Sequence, residues 1–174
     1  MSHTATTKTA SSSRAHEPQH TGLRIQRFFT DEETSPYDAV DWERRDTSIS
    51  DFNGNKVFEQ TNVEVPESWS QMATNVVVQK YFRGALGSES RETSIRQLIS
   101  RVVDTITRWG REQQYFATEE DAAAFSDDLA YMLVTQRAAF NSPVWFNVGV
   151  EDEPQCSACF INEVDDTMES ILEL

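Results

Sequence analysis

Histidine is missing from almost all of this sequence. His3, His16 and His20 are the only three, and all lie in a Ser/Thr/Ala-rich opening stretch. That stretch, residues 1–22, has too few apolar side chains to offset the entropy of ordering and is expected to be a disordered tail. The rest of the chain has no imidazole, which excludes histidine-ligated zinc sites, Ser-His-Asp hydrolases and Cys-His proteases. Cysteine is nearly as scarce: Cys156 and Cys159 cannot build a disulfide framework and supply at most half of a four-thiolate zinc site. No metal site within the chain is expected. The six glycines form no phosphate-cradling loop. No apolar run reaches the roughly 18–20 residues of a membrane span, and residues 1–22 lack the apolar centre of a secretory signal. Basic residues are outnumbered 15 to 29, for a net charge of −14, which argues against nonspecific binding to nucleic acid or to an anionic membrane. A soluble, cytoplasmic chain with neither as partner is expected, and 174 residues suit one ordinary domain.

The charge is uneven. From Asn141 onward there are eight acids and no base. Two readings stay open: a solvated acidic face, or a segment whose counter-charges belong to a longer chain.

The coarse pattern is mixed α and β. Asn53-Gly54 is a turn signal, followed by the β-branched, partly alternating run Val57–Val65 and Pro66. Together with the apolar beats before the turn this predicts a strand pair. Three helices are then expected. The first opens at Ser68-Trp69-Ser70-Gln71 as a capping box, buries Trp69, Met72, Ala73, Val76 and Val77, and ends at Gly84 and Gly87. The second has the clearest 3.6-residue period, through Ile95, Leu98, Ile99, Val102, Val103, Ile106 and Trp109, with Gly110 near its end. The third starts at Thr118 with acids in its first turn, where the dipole favours them. It carries Ala122, Phe125, Leu129, Met132, Leu133 and Phe140 inward, and Asn141-Ser142-Pro143 stops it. Ala158–Val164 reads as a strand, and Asp166-Thr167-Met168-Glu169 as a helix start. The sequence ends about two turns into that helix, too short to stand alone, as if a domain had been cut.

Cys156-Ser157-Ala158-Cys159 is the one reactive-looking group. A thioredoxin-type pair needs its first thiol at a helix N-terminus, whereas a strand-like run and acidic neighbours surround this one. Half a zinc knuckle, or two small buried thiols at a strand start, are the other readings. Ser142-Pro143 reads as a helix stop, with a hydroxyl that could hold an oxyanion at the break.

Three stretches carry a family resemblance. They are Asn141-Ser142-Pro143-Val144-Trp145-Phe146-Asn147-Val148-Gly149, Gln155-Cys156-Ser157-Ala158-Cys159-Phe160-Ile161, and Asp166-Thr167-Met168-Glu169-Ser170-Ile171. Together they resemble the start of the catalytic barrel of ribonucleotide reductases, and most of all the adenosylcobalamin-dependent class II enzymes. Val63–Ser70 and Lys80-Tyr81-Phe82-Arg83-Gly84 are similar to the N-terminal region of the same branch.

The resemblance implies an α+β unit leading into an α/β barrel: tail 1–22, strand pair and helical subdomain 23–140, and the truncated start of the barrel at 141–174. It implies that Cys159 is a redox cysteine whose partner lies downstream, that Ser142 helps hold substrate phosphate, and that Ser157 and Ala158 line the ribose. Cys156 has no counterpart. The implied partners are a ribonucleotide (as the diphosphate), the remainder of the reductase polypeptide, a thioredoxin- or glutaredoxin-type reductant, and a second copy in a homodimer. The cobalamin contacts and the radical-bearing cysteine would lie beyond Leu174, so the chain alone is expected to be inactive. The other reading is a non-catalytic helical interaction module with a structural or zinc-binding Cys-x-x-Cys.

Overall fold

The computed structural model describes residues 22–161 and 163–172. The expected tail lies outside them except for Gly22. The mixed α+β expectation holds: a two-stranded antiparallel sheet of β1 (Trp42–Ser50) and β2 (Lys56–Pro66) is followed by helices α1 (Gln71–Tyr81), α2 (Ile95–Glu112), α3 (Glu119–Val134), α4 (Ser142–Asn147) and α5 (Met168–Leu172).

The hairpin turns where Asn53-Gly54 signals it. Asp51 Oδ1 accepts from the N–H groups of Asn53 and Asn55, both at 2.8 Å, and Gly54 supplies the positive φ of 82°. Pairing runs from Trp42↔Pro66 to Ser50↔Lys56, with one irregularity between Ile49 and Ser50 and another between Arg45 and Thr47. There β2 carries one extra residue and Asn62 adopts φ 58°, a bulge that changes which alternate positions face inward. Phe58 and Gln60 face inward before it, and Val63 and Val65 after it.

Helix α1 corrects the expected start. Ser70, not Ser68, is the cap, accepting from the Ala73 N–H at 3.1 Å. The inward face changes with it. Thr74 and Val78 are buried, Met72 and Val76 are 78% and 44% exposed, and Ala73 and Val77 are half-buried. Trp69 is buried as expected, but from the residue before the cap, where its Nε1–H donates to the Val134 carbonyl at 2.8 Å.

Helix α2 follows the expected period. Ser94 caps it, and Ile95, Leu98, Ile99, Val102 and Val103 are buried. Val63, Val65, Val78, Leu129 and Leu133 join Ile95, Leu98, Ile99 and Val103 in the main core, while Val102 packs with Val144 and Val148 in a smaller one under α4. Helix α3 starts at its expected cap, Thr118, but ends seven residues before Asn141. Gln136 turns left-handed at φ 57°, and Met132 gives its carbonyl to Arg137 and Ala138 at 2.8 and 3.2 Å. Phe140 therefore packs from the connector, not from the helix.

Two further expectations change beyond that connector. Ser142-Pro143 opens a helix instead of stopping α3, because a proline without an N–H suits a first turn. The strand expected over Ala158–Val164 is absent among its described residues, which are exposed and without regular structure; Asn162 lies outside them. A strand needs a neighbour to satisfy its backbone groups, and the sheet of β1 and β2 is the only one among the described residues. The helix start at Asp166–Glu169 is observed as α5.

Candidate active site

The residues expected to carry chemistry lie on α4 and on the loop that follows it. Asn141 caps α4, its Oδ1 accepting from the Val144 N–H at 3.3 Å, while its amide Nδ2 donates to the Cys156 carbonyl at 3.1 Å. From the far end of α4, Asn147 donates to the Gln155 carbonyl at 2.8 Å. Two side-chain amides thus fasten the loop to both ends of one short helix. Gln155 Oε1 accepts the Ser157 N–H at 2.8 Å, which folds the next turn of chain back on itself.

The two cysteines occupy different surroundings, and both are free thiols. Cys156 is half-buried against the small core of Val102, Val144 and Val148, and its thiol points to the Pro154 carbonyl at 3.6 Å. Cys159 is exposed, as are Ser157 and Ala158. The reading of two buried thiols at a strand start is therefore corrected, since one thiol is open and the strand is absent. Cys156 does not begin a helix either, so the feature that lowers a thioredoxin-type thiol pKa is missing. Among the described residues no group of three or more His, Cys, Asp or Glu side chains stands close enough to hold a metal ion.

Ser142 is half-buried at the first turn of α4, its hydroxyl sharing a hydrogen bond of 3.0 Å with the Tyr81 hydroxyl. Among the described residues no hydrogen bond joins it to Ser157 or Cys159. The fold brings the Ser142 helix and the Cys156 loop together, and Cys159 extends beyond the fastened part.

What holds α4 in place was not expected from the sequence. Arg101, on α2, pairs with Glu92 at 2.8 Å, with side chains only 13% and 11% exposed. Its guanidinium donates to the Val148 carbonyl at 2.8 Å, and to those of Trp145 and Tyr81 at 3.3 Å. One cation thus closes the C-terminal ends of both α1 and α4, where helix dipoles favour positive charge. Gly149 follows with φ 74°, and a Cβ there would come within 2.6 Å of the Arg101 Cγ.

An apolar cavity of about 230 Å³ lies between α1, α2 and the connector before α4, lined by residues including Trp69, Tyr81, Leu98, Phe140 and Trp145. Small-molecule sites ordinarily span roughly 300–1,000 Å³.

With this geometry in view, comparison with known proteins places the chain first among the ribonucleotide reductases. The model of the class II vitamin B12-dependent ribonucleotide reductase family matches residues 43–90 and 85–136, and the chain belongs to that family. It is similar to the vitamin B12-dependent ribonucleotide reductase of Streptomyces avermitilis, 50% identical over 165 residues that make up 94% of this chain and 17% of that protein. The Streptomyces clavuligerus enzyme is 52% identical over 153 residues, 87% of this chain and 16% of that protein. The Rhodopirellula baltica enzyme is 43% identical over 183 residues, 88% and 18%. The chain thus spans about a sixth of the length of the curated relatives it matches. A corrin is far larger than the apolar cavity described above, which therefore does not enclose one.

Proposed function

We propose that this chain forms the N-terminal part of an adenosylcobalamin-dependent reductase that converts ribonucleotides, as diphosphates, to deoxyribonucleotides for DNA synthesis. The observation that supports this best is Cys159, an exposed thiol on a loop fastened to α4, in a chain of this family. Cys159 supplies one of the two thiols that reduce the ribose 2′ carbon, the other coming from polypeptide outside this chain. The two thiols give two electrons and two protons, the 2′ hydroxyl leaves as water, and the sulfurs end as a disulfide. A thioredoxin- or glutaredoxin-type dithiol restores them. A thiol in this role needs access to substrate and partner, which exposure provides, and no histidine or helix terminus need activate it.

Ser142 donates its hydroxyl to the substrate phosphate, and the Ser157–Ala158 stretch lines the ribose. Adenosylcobalamin supplies the radical initiation and is held by residues outside this chain. Residues 23–140 form the strand pair and helical subdomain, and 141–174 the opening of an α/β barrel, in which Ala158–Val164 becomes a strand once a neighbouring strand pairs with it. The complete enzyme is a cytoplasmic homodimer, and the chain alone is inactive. The test is to combine the chain with the remaining reductase polypeptide and assay reduction with adenosylcobalamin and a thioredoxin-type reductant. Cys159→Ser should abolish multiple turnover, whereas full turnover in that variant sinks the redox assignment.

A further inference from the structure

Arg83 has a settled backbone and an unsettled side chain. Its N–H donates to Glu92 Oε2 and its carbonyl accepts the Glu92 N–H, both at 2.8 Å. Among the described residues the guanidinium makes no ion pair or hydrogen bond, and its buried Nε has no partner. The adjacent carboxylate, Glu92, is already engaged by Arg101. Buried donors are almost always satisfied, so an orphan of this kind points to an acceptor that arrives from outside.

The surroundings indicate what that acceptor is. The Arg83 guanidinium lies over the ring of Phe146, 5.5 Å from its centroid, and the Tyr81 ring lies 5.2 Å from the same centroid. Phe146 follows Ser142 by one turn of α4, so the two share a helix face, and the Ser142 hydroxyl is bonded to that of Tyr81. Arg83 and Tyr81 thus meet at the Phe146 ring, and the Tyr81 hydroxyl links that pair to Ser142. When the phenol donates to Ser142 Oγ, the serine O–H stays free to donate outward and is polarised to do so. A planar cation with forked donors, linked through Tyr81 and Phe146 to a hydroxyl free to donate, suits a phosphate group.

We propose that Arg83 is the cationic arm of the phosphate subsite to which Ser142 belongs, binding a phosphate of the ribonucleotide, with Tyr81 as a positioning residue that aims the Ser142 hydroxyl. This rests on the role given to Ser142 above and extends it.

The full chain, labelled with ¹⁵N, is titrated with inorganic pyrophosphate at constant ionic strength while the Arg83 Nε–H and Ser142 N–H resonances are followed. Both should shift saturably with one dissociation constant, and Arg83→Gln should weaken binding tenfold or more, with Arg83→Lys in between. Tyr81→Phe should weaken it severalfold in the native background and not at all in Ser142→Ala, which a merely structural tyrosine would not do. Absence of a saturable shift at either resonance overturns the inference. So does a Ser142 shift that persists unchanged in an Arg83→Gln chain with a native spectrum, and that result leaves the Ser142 assignment standing. Failure of the Ser142 assignment reads out separately, as an unchanged KM for ribonucleotide in a Ser142→Ala complete reductase.

Discussion

Single polar side chains decide how residues 23–30 are held. Residues 23–30 lie along α3, and Asp128 is their main clasp. Its Oδ2 accepts from the Phe28 N–H at 2.8 Å, and its Oδ1 from the N–H groups of Phe29 and Thr30 and the Thr30 hydroxyl at 3.1, 3.0 and 2.7 Å. Burial pushes the Asp128 carboxyl up, but the Thr30 hydroxyl and the three N–H groups outweigh it and hold its pKa below the ordinary 3.8. A depressed folded pKa means the stabilisation is fully present above the unfolded value and fades as pH falls through the folded one. Asp128→Asn keeps an acceptor at Oδ1 but turns an N–H toward that of Phe28. It should cost about 2 kcal/mol in urea unfolding at pH 7 and flatten the loss of stability below about pH 4. Tyr37 runs the other way. Burial lifts its pKa to about 12, against a smaller opposing effect of its bond to Ser100. Its stabilisation is complete below about pH 10 and is lost as pH rises toward 12. Tyr37→Phe should make stability nearly independent of pH over that window, apart from the other tyrosines, as read by thermal unfolding.

At the scale of elements, legibility followed how local the deciding interactions are. Helix α2 could be read closely because its cap, its apolar period and its end all sit within its own residues. Helix α1 could not: two serines stand two residues apart as rival caps, and Val76-Val77-Val78 has no period to set the face. The early end of α3 depends on Gln136 turning left-handed without a glycine, which no residue type announces. The residues proposed for the α4 site stand out in the sequence but their contacts do not, since Tyr81 and Ser142 are 61 positions apart and Arg101 reaches two helix ends from a third helix. Gly110 separates local from tertiary effects. Helix propensity alone favours alanine there by about 1 kcal/mol, yet its Cβ would stand 2.4 Å from the Phe116 ring, which itself packs on Phe125. Gly110→Ala should therefore destabilise the chain by about 1–3 kcal/mol, measured by denaturant unfolding. A gain in stability would show that Phe116 is free to move aside.

Taken whole, the molecule divides by how its surface is buried. The main core draws on β2, α1, α2 and α3 and reaches Trp145 at α4. Beyond Val148 the described chain contributes no buried residue. What ties this last part down is polar and local: the Asn141 and Asn147 amides hold it through Cys156, and no comparable tertiary bond is present among the described residues further on. Hydrogen exchange and covalent probes sample local opening rather than global unfolding where few apolar contacts are made. The two thiols report on either side of that boundary. Cys159 should be alkylated by iodoacetamide in the native chain at close to the rate of an unfolded control. Cys156 should react at least tenfold more slowly, because the small core under α4 covers it. Asn141→Ala with Asn147→Ala should bring the Cys156 rate up toward that of Cys159 while the unfolding midpoint moves little, since the main core is untouched. Equal rates in the native chain would mean that the fastening to α4 does not persist in solution. Protection of Cys159 on adding the remaining reductase polypeptide would mean that its loop is ordered by the barrel it is proposed to enter.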